Sequence, residues 1–359
     1  MATVSPYGSA LGRLKAATAN FLPKETYATL VGARDLADVT KILEPTPYGP
    51  EIVHSAAAYS GATLLEIAIN RTFVKRNRDA LEAAPFAGRP ILQTYLRRWD
   101  IQNIGVILAA KAQGRPVTEA EQFLVSSRDM PAGLFAGALT LDDFRILLEQ
   151  PTVEAVAAAL VKFGYGGTLL PKLDEFERTQ DVFGLVHALE RDYYARLLET
   201  ARYFQGDEWT VRLFVQSEID VRNVLLLLKG KDAGVSVEDV AARFIEGGSL
   251  AASNVPDLYA PSTVPDVVAG LESRFPSLVE GTAQYTSEHT LTGYEVALNR
   301  DRAVRELKRL RSYPLSIGIL FGFLLLAELE RADLRRIVYG KVYAIPSARL
   351  EELLVVPRL

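Results

Sequence analysis

The sequence lacks most of the residues from which reactive or metal-binding sites are built. Its 359 residues include no cysteine and only three histidines, His54, His187 and His289, none of which shows a metal-ligand spacing. The absence of cysteine excludes disulfides, thiol nucleophiles and Cys-ligated zinc or iron–sulfur sites. Basic charge is also not in excess, because 40 Lys and Arg face 44 Asp and Glu. This balance disfavours nucleic acid as the main partner.

No apolar run in the chain is long enough to span a membrane. The longest candidate, LSIGILFGFLLLA at residues 315–327, has 13 residues, whereas a spanning helix needs about 20. Pro314 precedes this run, and charged residues follow it directly. We therefore expect a buried core helix here. The first residues, MATVSPYGSALGRLKAA, likewise contain no apolar stretch of the length that a secretory signal requires.

The chain does contain a pattern that occurs three times. The spacing D-x2-N-x7-K-x2-G occurs twice, and Asp220 follows Asp100 by 120 positions. A degraded third copy, E-x2-D-x7-K-x2-A, begins 110 positions later at Glu330. The three copies are Asp100-Asn103-Lys111-Gly114, Asp220-Asn223-Lys231-Gly234 and Glu330-Asp333-Lys341-Ala344.

Two further elements accompany this pattern in a constant order. An A-[IL]-[NE]-R element places Arg71, Arg191 and Arg300 before the acids by 29, 29 and 30 positions. Earlier still, VTKILEPTPYG at 39–49 aligns with VAAALVKFGYG at 156–166, and VVAGLESRF at 267–275 is a blurred counterpart. Self-similarity of this kind indicates an internal repeat. It predicts three similar domains, at residues 1–125, 126–240 and 241–359.

The fold class predicted from hydrophobic periodicity is all-α. Long stretches such as VFGLVHALERDYYARLLETARYF place apolar residues at three- and four-residue spacing, as amphipathic helices do, and no stretch alternates convincingly at period two. Gly114 and Gly234 fall where a helix would end in a left-handed cap, and Lys111 and Lys231 lie in the last turn, where they favour the helix dipole.

The acids of the repeated helix require a partner. Positions 0, +3 and +11 of a helix lie within about 80° of one another, so Asp100, Asn103 and Lys111 share one face with apolar residues. An unpaired buried carboxylate would cost several kcal/mol. We therefore predict that the recurring arginine pairs with the acid in each repeat. The predicted structural ion pairs are Arg71–Asp100, Arg191–Asp220 and Arg300–Glu330.

The same acids could instead be general acids or metal ligands. Such a role requires other chemical groups to converge on the site, and the sequence offers none. Gly230-Lys231 lacks the upstream glycine and the following Ser or Thr of a P-loop. We therefore predict no catalytic, cofactor-binding or metal-binding residues and no cofactor, and we expect the chain not to be an enzyme.

The three repeats, the T-P-Y-G turn and the D-x2-N-x7-K-x2-G pattern resemble those of a known family. This family comprises the C subunits of the archaeal and bacterial V/A-type ATP synthases and includes the d subunit of the eukaryotic vacuolar ATPase. The resemblance covers residues 7–355. The chain departs from the family pattern mainly in the third repeat, where Asp333 and Ala344 replace Asn and Gly, and in a long loop at 247–265.

This resemblance implies three similar helical domains around a pseudo-threefold axis, forming a funnel with a central cavity. It implies a non-catalytic central-stalk adaptor that couples the rotating stalk to the membrane rotor ring, so that ATP synthesis or hydrolysis is linked to proton or sodium transport. The implied partners are the D and F subunits of the central stalk and the membrane rotor ring of proteolipid subunits. One copy per complex is implied, monomeric when isolated and held peripherally at the cytoplasmic face of the cell membrane. The ion pairs would then stiffen the body.

Two other functions are compatible with a helical repeat protein. One is an α-helical scaffold that binds proteins and is unrelated to rotary ATPases. Many short repeats are typical of an open solenoid, whereas three long ones favour a closed body. The other is an all-α enzyme with a cryptic site.

Overall fold

The computed structural model describes residues 5–114 and 133–358. These residues form α-helices and short 3-10 helices and contain no β-strand, which confirms the predicted all-α class. Two compact units are present: a continuous unit at residues 35–200 and a split unit made of residues 1–34 and 201–359. The predicted domain boundary after residue 125 lies outside the described residues, and the boundary after residue 240 falls within the helix Val237–Ala242. The division into three domains stays a prediction.

The described residues of the continuous unit include two long helices, of 23 and 24 residues, and a third long helix that ends at its boundary. Its α-helices, in chain order, are α3 (Leu36–Leu43), α4 (Gly49–Ser55), α5 (Gly61–Ala83), α6 (Arg89–Ala112), α7 (Leu141–Glu149), α8 (Val153–Ala159), α9 (Gly166–Leu169), α10 (Leu173–Thr179) and α11 (Val182–Ala201).

The split unit consists of the first two helices and the C-terminal part of the chain. Its α-helices are α1 (Gly8–Thr18), α2 (Lys24–Gly32), α12 (Thr210–Asp232), α13 (Val237–Ala242), α14 (Val255–Tyr259), α15 (Val264–Leu271), α16 (Val279–Glu288), α17 (Thr292–Arg311), α18 (Gly318–Val342) and α19 (Ser347–Leu353).

A side-chain N-terminal cap begins at least one short helix in each predicted repeat, and it also begins α7 at Thr140 and α13 at Ser236. The side chains of Asp35, Thr152 and Thr263 each accept a hydrogen bond from the backbone N–H three residues later, and this starts α3, α8 and α15. Such caps satisfy an N–H that the helix itself leaves unpaired. The blurred third counterpart at 267–275 therefore starts on a helix, Val264–Leu271, that begins in the same way as the other two.

The three repeated helices α6, α12 and α18 end in the same backbone conformation. Two residues beyond the last helical residue, φ is +60° at Gly114, +65° at Gly234 and +53° at Ala344. The predicted left-handed caps at Gly114 and Gly234 are confirmed. In the third repeat Ala344 adopts the same conformation, although its Cβ makes left-handed backbone unfavourable.

The apolar segment at 315–327 supplies most of the first half of α18. Phe321, Leu324 and Leu325 in this segment are buried, so the prediction of a core helix is confirmed. Within residues 5–114 and 133–358, no helix is long and apolar enough to cross a membrane.

The first helices of the chain pack against its last ones within the split unit, α1 on α18 and α2 on α19. Polar contacts fix this arrangement, because the Val31 carbonyl accepts hydrogen bonds from Lys341 Nζ at 2.6 Å and from Ser347 Oγ at 3.0 Å. Helices α1 and α2 thus both contact α18, the third of the repeated helices.

Candidate functional site

The repeated acid of α6 holds a segment that lies far along the chain. Asp100 is fully buried, and its Oδ2 accepts hydrogen bonds from the Ala138 N–H at 2.8 Å and the Tyr165 hydroxyl at 3.0 Å. Its Oδ1 accepts from the Leu139 N–H at 3.2 Å. A Cβ on Gly137 would collide with this carboxylate. The glycine therefore allows the backbone to approach the acid closely.

The acid of α12 forms the same arrangement. Asp220 Oδ1 accepts hydrogen bonds from the backbone N–H groups of Ser249, at 2.6 Å, and Leu250, at 3.4 Å. The preceding residue is again a glycine, Gly248, whose Cβ would collide with the Asp220 carboxylate. A buried carboxylate thus binds two successive backbone amides after a glycine in both repeats.

The asparagine three residues after each acid binds a single backbone residue through two hydrogen bonds. Asn103 donates to the Leu134 carbonyl at 3.1 Å and accepts from the Leu134 N–H at 3.2 Å. Asn223 does the same with Ile245, at 2.8 and 3.0 Å. An amide side chain carries one donor group and one acceptor, and a carboxylate could form only half of this contact.

The lysine of the pattern binds a backbone carbonyl in all three repeats. Lys111 Nζ donates to the Leu148 carbonyl at 2.5 Å, Lys231 Nζ to that of Tyr259 at 2.7 Å and Lys341 Nζ to that of Val31 at 2.6 Å. Leu148 and Tyr259 lie in the last turns of α7 and α14. A cation is favourable there because the helix dipole leaves negative charge at the C-terminus.

The first and second repeats differ by one insertion. Leu134 follows Asn103 by 31 positions, whereas Ile245 follows Asn223 by 22. The other contacts show the same difference of nine, because Ala138 follows Asp100 by 38 positions and Ser249 follows Asp220 by 29. The nine additional residues therefore lie between the repeated helix and the first contact of the loop.

In the third repeat, different segments occupy the equivalent positions. Glu330 Oε2 accepts hydrogen bonds from the Leu22 N–H at 2.8 Å and the Tyr27 hydroxyl at 3.3 Å. Asp333, at the asparagine position, accepts from the N–H groups of Val355 and Val356 at 2.8 and 2.7 Å and from Arg336 at 2.7 Å. The third repeat thus has Glu and Asp in place of Asp and Asn where the segments that these side chains bind are also different. A carboxylate suits a site that offers only donors.

The predicted pair of Arg71 with Asp100 is wrong. Arg71 Nη1 lies 3.7 Å from Glu51 Oε2 and donates to Ser55 Oγ at 3.4 Å, so it binds α4. Backbone N–H groups and a tyrosine hydroxyl stabilise Asp100 in place of the guanidinium. Charge-assisted hydrogen bonds of this kind can compensate a buried carboxylate without an ion pair.

The other two pairs, Arg191–Asp220 and Arg300–Glu330, stay predictions. Arg300 lies 3.7 Å from Glu280 and donates to the carbonyls of Glu352 and Leu354 at 2.9 and 3.4 Å. It therefore joins α17 to the end of α19.

Burial changes the acidity of two of these groups. Desolvation raises the pKa of Asp100 from its ordinary 3.8 to about 6, although the N–H groups of Ala138 and Leu139, the Tyr165 hydroxyl and Arg97 oppose the shift. Desolvation likewise raises the pKa of Asp333, and Arg336 opposes that shift. The loop contacts reduce the cost of burying these acids but do not remove it.

The arrangement supports a structural role for the repeated side chains. Each acid, amide and lysine contacts backbone groups, and the described part of the chain contains no group of three or more His, Asp or Glu that could hold a metal ion. The sequence pattern did not predict that the acids of α6 and α12 bind backbone N–H groups of a loop. The signal for these loops in the sequence is the pair Gly137 and Gly248, because each glycine directly precedes the two residues whose N–H groups bind the acid.

Comparison with known proteins identifies relatives along the whole chain. The family model described as ATP synthase (C/AC39) subunit matches residues 10–353. The chain is 32% identical over 349 residues to the C subunit of the A-type ATP synthase of Thermoplasma volcanium, covering 97% of this chain and 98% of the relative. It is 33% identical over 351 residues to that of Thermoplasma acidophilum, covering 98% of each. To the C subunit of the Methanocaldococcus jannaschii enzyme it is 24% identical over 355 residues, covering 98% of this chain and 87% of the relative.

Proposed function

This chain belongs to the ATP synthase (C/AC39) subunit family, and from that membership we propose that it is the non-catalytic central-stalk adaptor of a V/A-type rotary ATPase or ATP synthase. In this role it couples the rotating stalk, made of the D and F subunits, to the membrane ring of proteolipid subunits. ATP synthesis or hydrolysis is thereby linked to proton or sodium transport. One copy sits peripherally at the cytoplasmic face of the membrane in each complex.

The observation that carries this proposal is the extent of the match. The family model covers residues 10–353, and the two Thermoplasma relatives align over 97–98% of this chain and 98% of their own lengths. The similarity therefore extends over the whole body of a C subunit, which is the part that an adaptor uses. A scaffold that shared only a helical module would match over a shorter range.

The repeated contacts support the mechanical side of the proposal. In both α6 and α12 an acid, an amide and a lysine bind backbone groups of the segment that follows, at three places along the helix. Buried and fully paired polar groups restrict a structure to one arrangement. An adaptor that transmits torque needs such rigidity, because a body that deforms would store rotation instead of passing it on.

The architecture that accompanies this role is also part of the proposal. Three similar helical domains surround a pseudo-threefold axis and form a funnel, whose cavity receives the foot of the stalk. The equal caps of α3, α8 and α15 and the equal left-handed ends of α6, α12 and α18 support it.

Reconstitution tests the function directly. A head-and-stalk assembly is combined with vesicles that contain the membrane ring and its stator, with and without this chain, and both ATP hydrolysis and ATP-driven ion uptake are measured. We expect hydrolysis in both samples and ion uptake only when the chain is present. Equal ion uptake without the chain would overturn the adaptor role. ATP hydrolysis by the isolated chain would overturn its non-catalytic nature.

A further inference from the structure

A groove runs along one face of α5 in the continuous unit. Two adjoining openings of about 670 and 360 Å³ share Arg78 and Phe135 in their linings. Its walls are formed by Pro50, Glu51 and His54 of α4 on one side and by Gly133 and residues 135–141 on the other. Its floor consists of residues that recur every three or four positions along α5, namely Arg71, Val74, Lys75, Arg78 and Leu81. At 1.5 Å per residue, this stripe is about 15 Å long.

The groove is positively charged, although the chain as a whole carries a net charge of −4. Three permanent cations, Arg71, Lys75 and Arg78, line it against the one carboxylate of Glu51. Glu51 lies 3.7 Å from Arg71, so the one carboxylate in the lining pairs with neither Lys75 nor Arg78. Lys75 is exposed and forms no ion pair with a described residue. Arg78 is also exposed, and among residues 5–114 and 133–358 it donates to the Phe135 carbonyl alone, at 3.4 Å.

Apolar side chains lie between these cations. Val74 is buried in the floor, Leu81 is partly buried, and the Phe135 ring packs against Phe144 with 5.5 Å between ring centroids. A surface that alternates apolar and cationic side chains along a helix is complementary to a second helix with apolar and acidic residues on one face. A polyanion such as nucleic acid would gain little from the apolar part of this floor.

We propose that this groove is a docking site for an acidic amphipathic helix of a partner protein. The glutamates or aspartates of that helix lie opposite Lys75 and Arg78, and its apolar residues cover the exposed parts of Leu81 and the Phe135 ring. The length of the stripe fits about three turns of helix. The site does not depend on the coupling role, because it rests on the shape and charge of the surface that α4, α5 and residues 135–141 form.

Peptide binding tests the proposal. The probes are two fluorescein-labelled amphipathic peptides with leucines along one helical face, one with glutamates and the other with lysines beside them. Fluorescence anisotropy is measured on the full chain at low salt. We expect the glutamate peptide to bind and the lysine peptide not to bind. Lys75→Glu combined with Arg78→Glu should weaken binding about tenfold or more, because two attractions become repulsions.

A matched variant separates this groove from the general charge of the protein. Lys41→Glu combined with Arg178→Glu makes the same change of charge at two exposed positions of the same unit, on α3 and α10. It should alter the affinity by less than about twofold. Should the first double variant lose its helical circular dichroism, Lys75→Gln with Arg78→Gln replaces it.

Three results would overturn the proposal. The first is equal weakening by both double variants, which would assign binding to overall charge. The second is that single-stranded RNA binds more tightly than the glutamate peptide and that RNA binding is lost when Lys75 and Arg78 are changed. The third is that phosphatidylglycerol vesicles bind more tightly than the glutamate peptide and that this binding is lost when Lys75 and Arg78 are changed. None of these results bears on ion uptake in the reconstituted complex, so the two proposals fail separately.

Discussion

The Tyr165 hydroxyl donates a hydrogen bond to Asp100 Oδ2 over 3.0 Å, although 65 positions separate the two residues. The same oxygen accepts the Ala138 N–H. One buried carboxylate on α6 thereby holds both the turn at residue 165 and the segment at 138–139. Because the acid is buried in an apolar surrounding, each donor matters more to stability than it would at the surface.

Removal of the tyrosine donor should destabilise the continuous unit. Tyr165→Phe keeps the ring and leaves Asp100 with its two backbone donors. Because a hydrogen bond to a charged group contributes about 1.5–3 kcal/mol, we expect the free energy of unfolding to fall by that amount near neutral pH. Urea denaturation measures it, with the exposed Tyr203→Phe as the control that should change little. No difference between the two variants would contradict the contact.

The pH dependence of stability should reveal the raised pKa of Asp100. The folded-state pKa is about 6 and the ordinary value is 3.8, so the folded protein binds this proton more tightly than the unfolded chain does. The stability that Asp100 contributes is therefore largest at low pH and is lost as pH rises through this window. Relative to Asp100→Asn, the wild type should lose about 2 kcal/mol between pH 4.5 and 7.5.

Tryptophan fluorescence can follow this titration in the continuous unit alone. The chain has two tryptophans, and only Trp99 belongs to that unit, so a Trp209→Phe background makes it the sole reporter. Urea unfolding curves are then recorded for the wild-type acid and for Asp100→Asn at both pH values. The other acids titrate in both variants and cancel in the comparison. A constant difference between pH 4.5 and 7.5 would show that the carboxylate is not perturbed.

The repeat in the sequence predicted the helices and their ends better than it predicted their contacts. Gly114 and Gly234 both end their helices in the predicted left-handed conformation, because a helix and its cap are local features that neighbouring residues determine. Apart from the Tyr165 hydroxyl, the partners of Asp100 and Asp220 are the backbone amides of Ala138, Leu139, Ser249 and Leu250, and such donors are independent of residue type. The nine-residue insertion also hid the alignment of the loops. Only the glycines at 137 and 248 could have indicated a close approach.

Exchanging alanine and glycine at the C-terminal cap should change the free energy of unfolding in opposite directions in the third and second repeats. Ala344 has φ +53°, whereas Gly234 has φ +65° at the equivalent position. Ala344→Gly should raise the free energy of unfolding of the split unit by up to about 1 kcal/mol, since the left-handed conformation is unfavourable for alanine. Gly234→Ala should lower it by about 1–2 kcal/mol for the same reason. Thermal denaturation of both variants measures the changes, and equal signs would contradict the assignment of these caps.

Replacement of the amide by a carboxylate in the second repeat should be tolerated only at low pH. In Asn223→Asp the new oxygen faces the Ile245 carbonyl, which now receives a hydrogen bond from Asn223 at 2.8 Å. A buried acceptor opposite an ionised acid should lower the free energy of unfolding by about 2–4 kcal/mol at pH 7.5. The repulsion raises the folded-state pKa of the new acid, so protonation at pH 4.5 supplies a donor and the loss should shrink. Urea unfolding at both pH values measures this, beside the exposed control Asn254→Asp, which should change little at either pH. A loss that is equal at the two pH values would show that the side chain of residue 223 does not face a carbonyl acceptor.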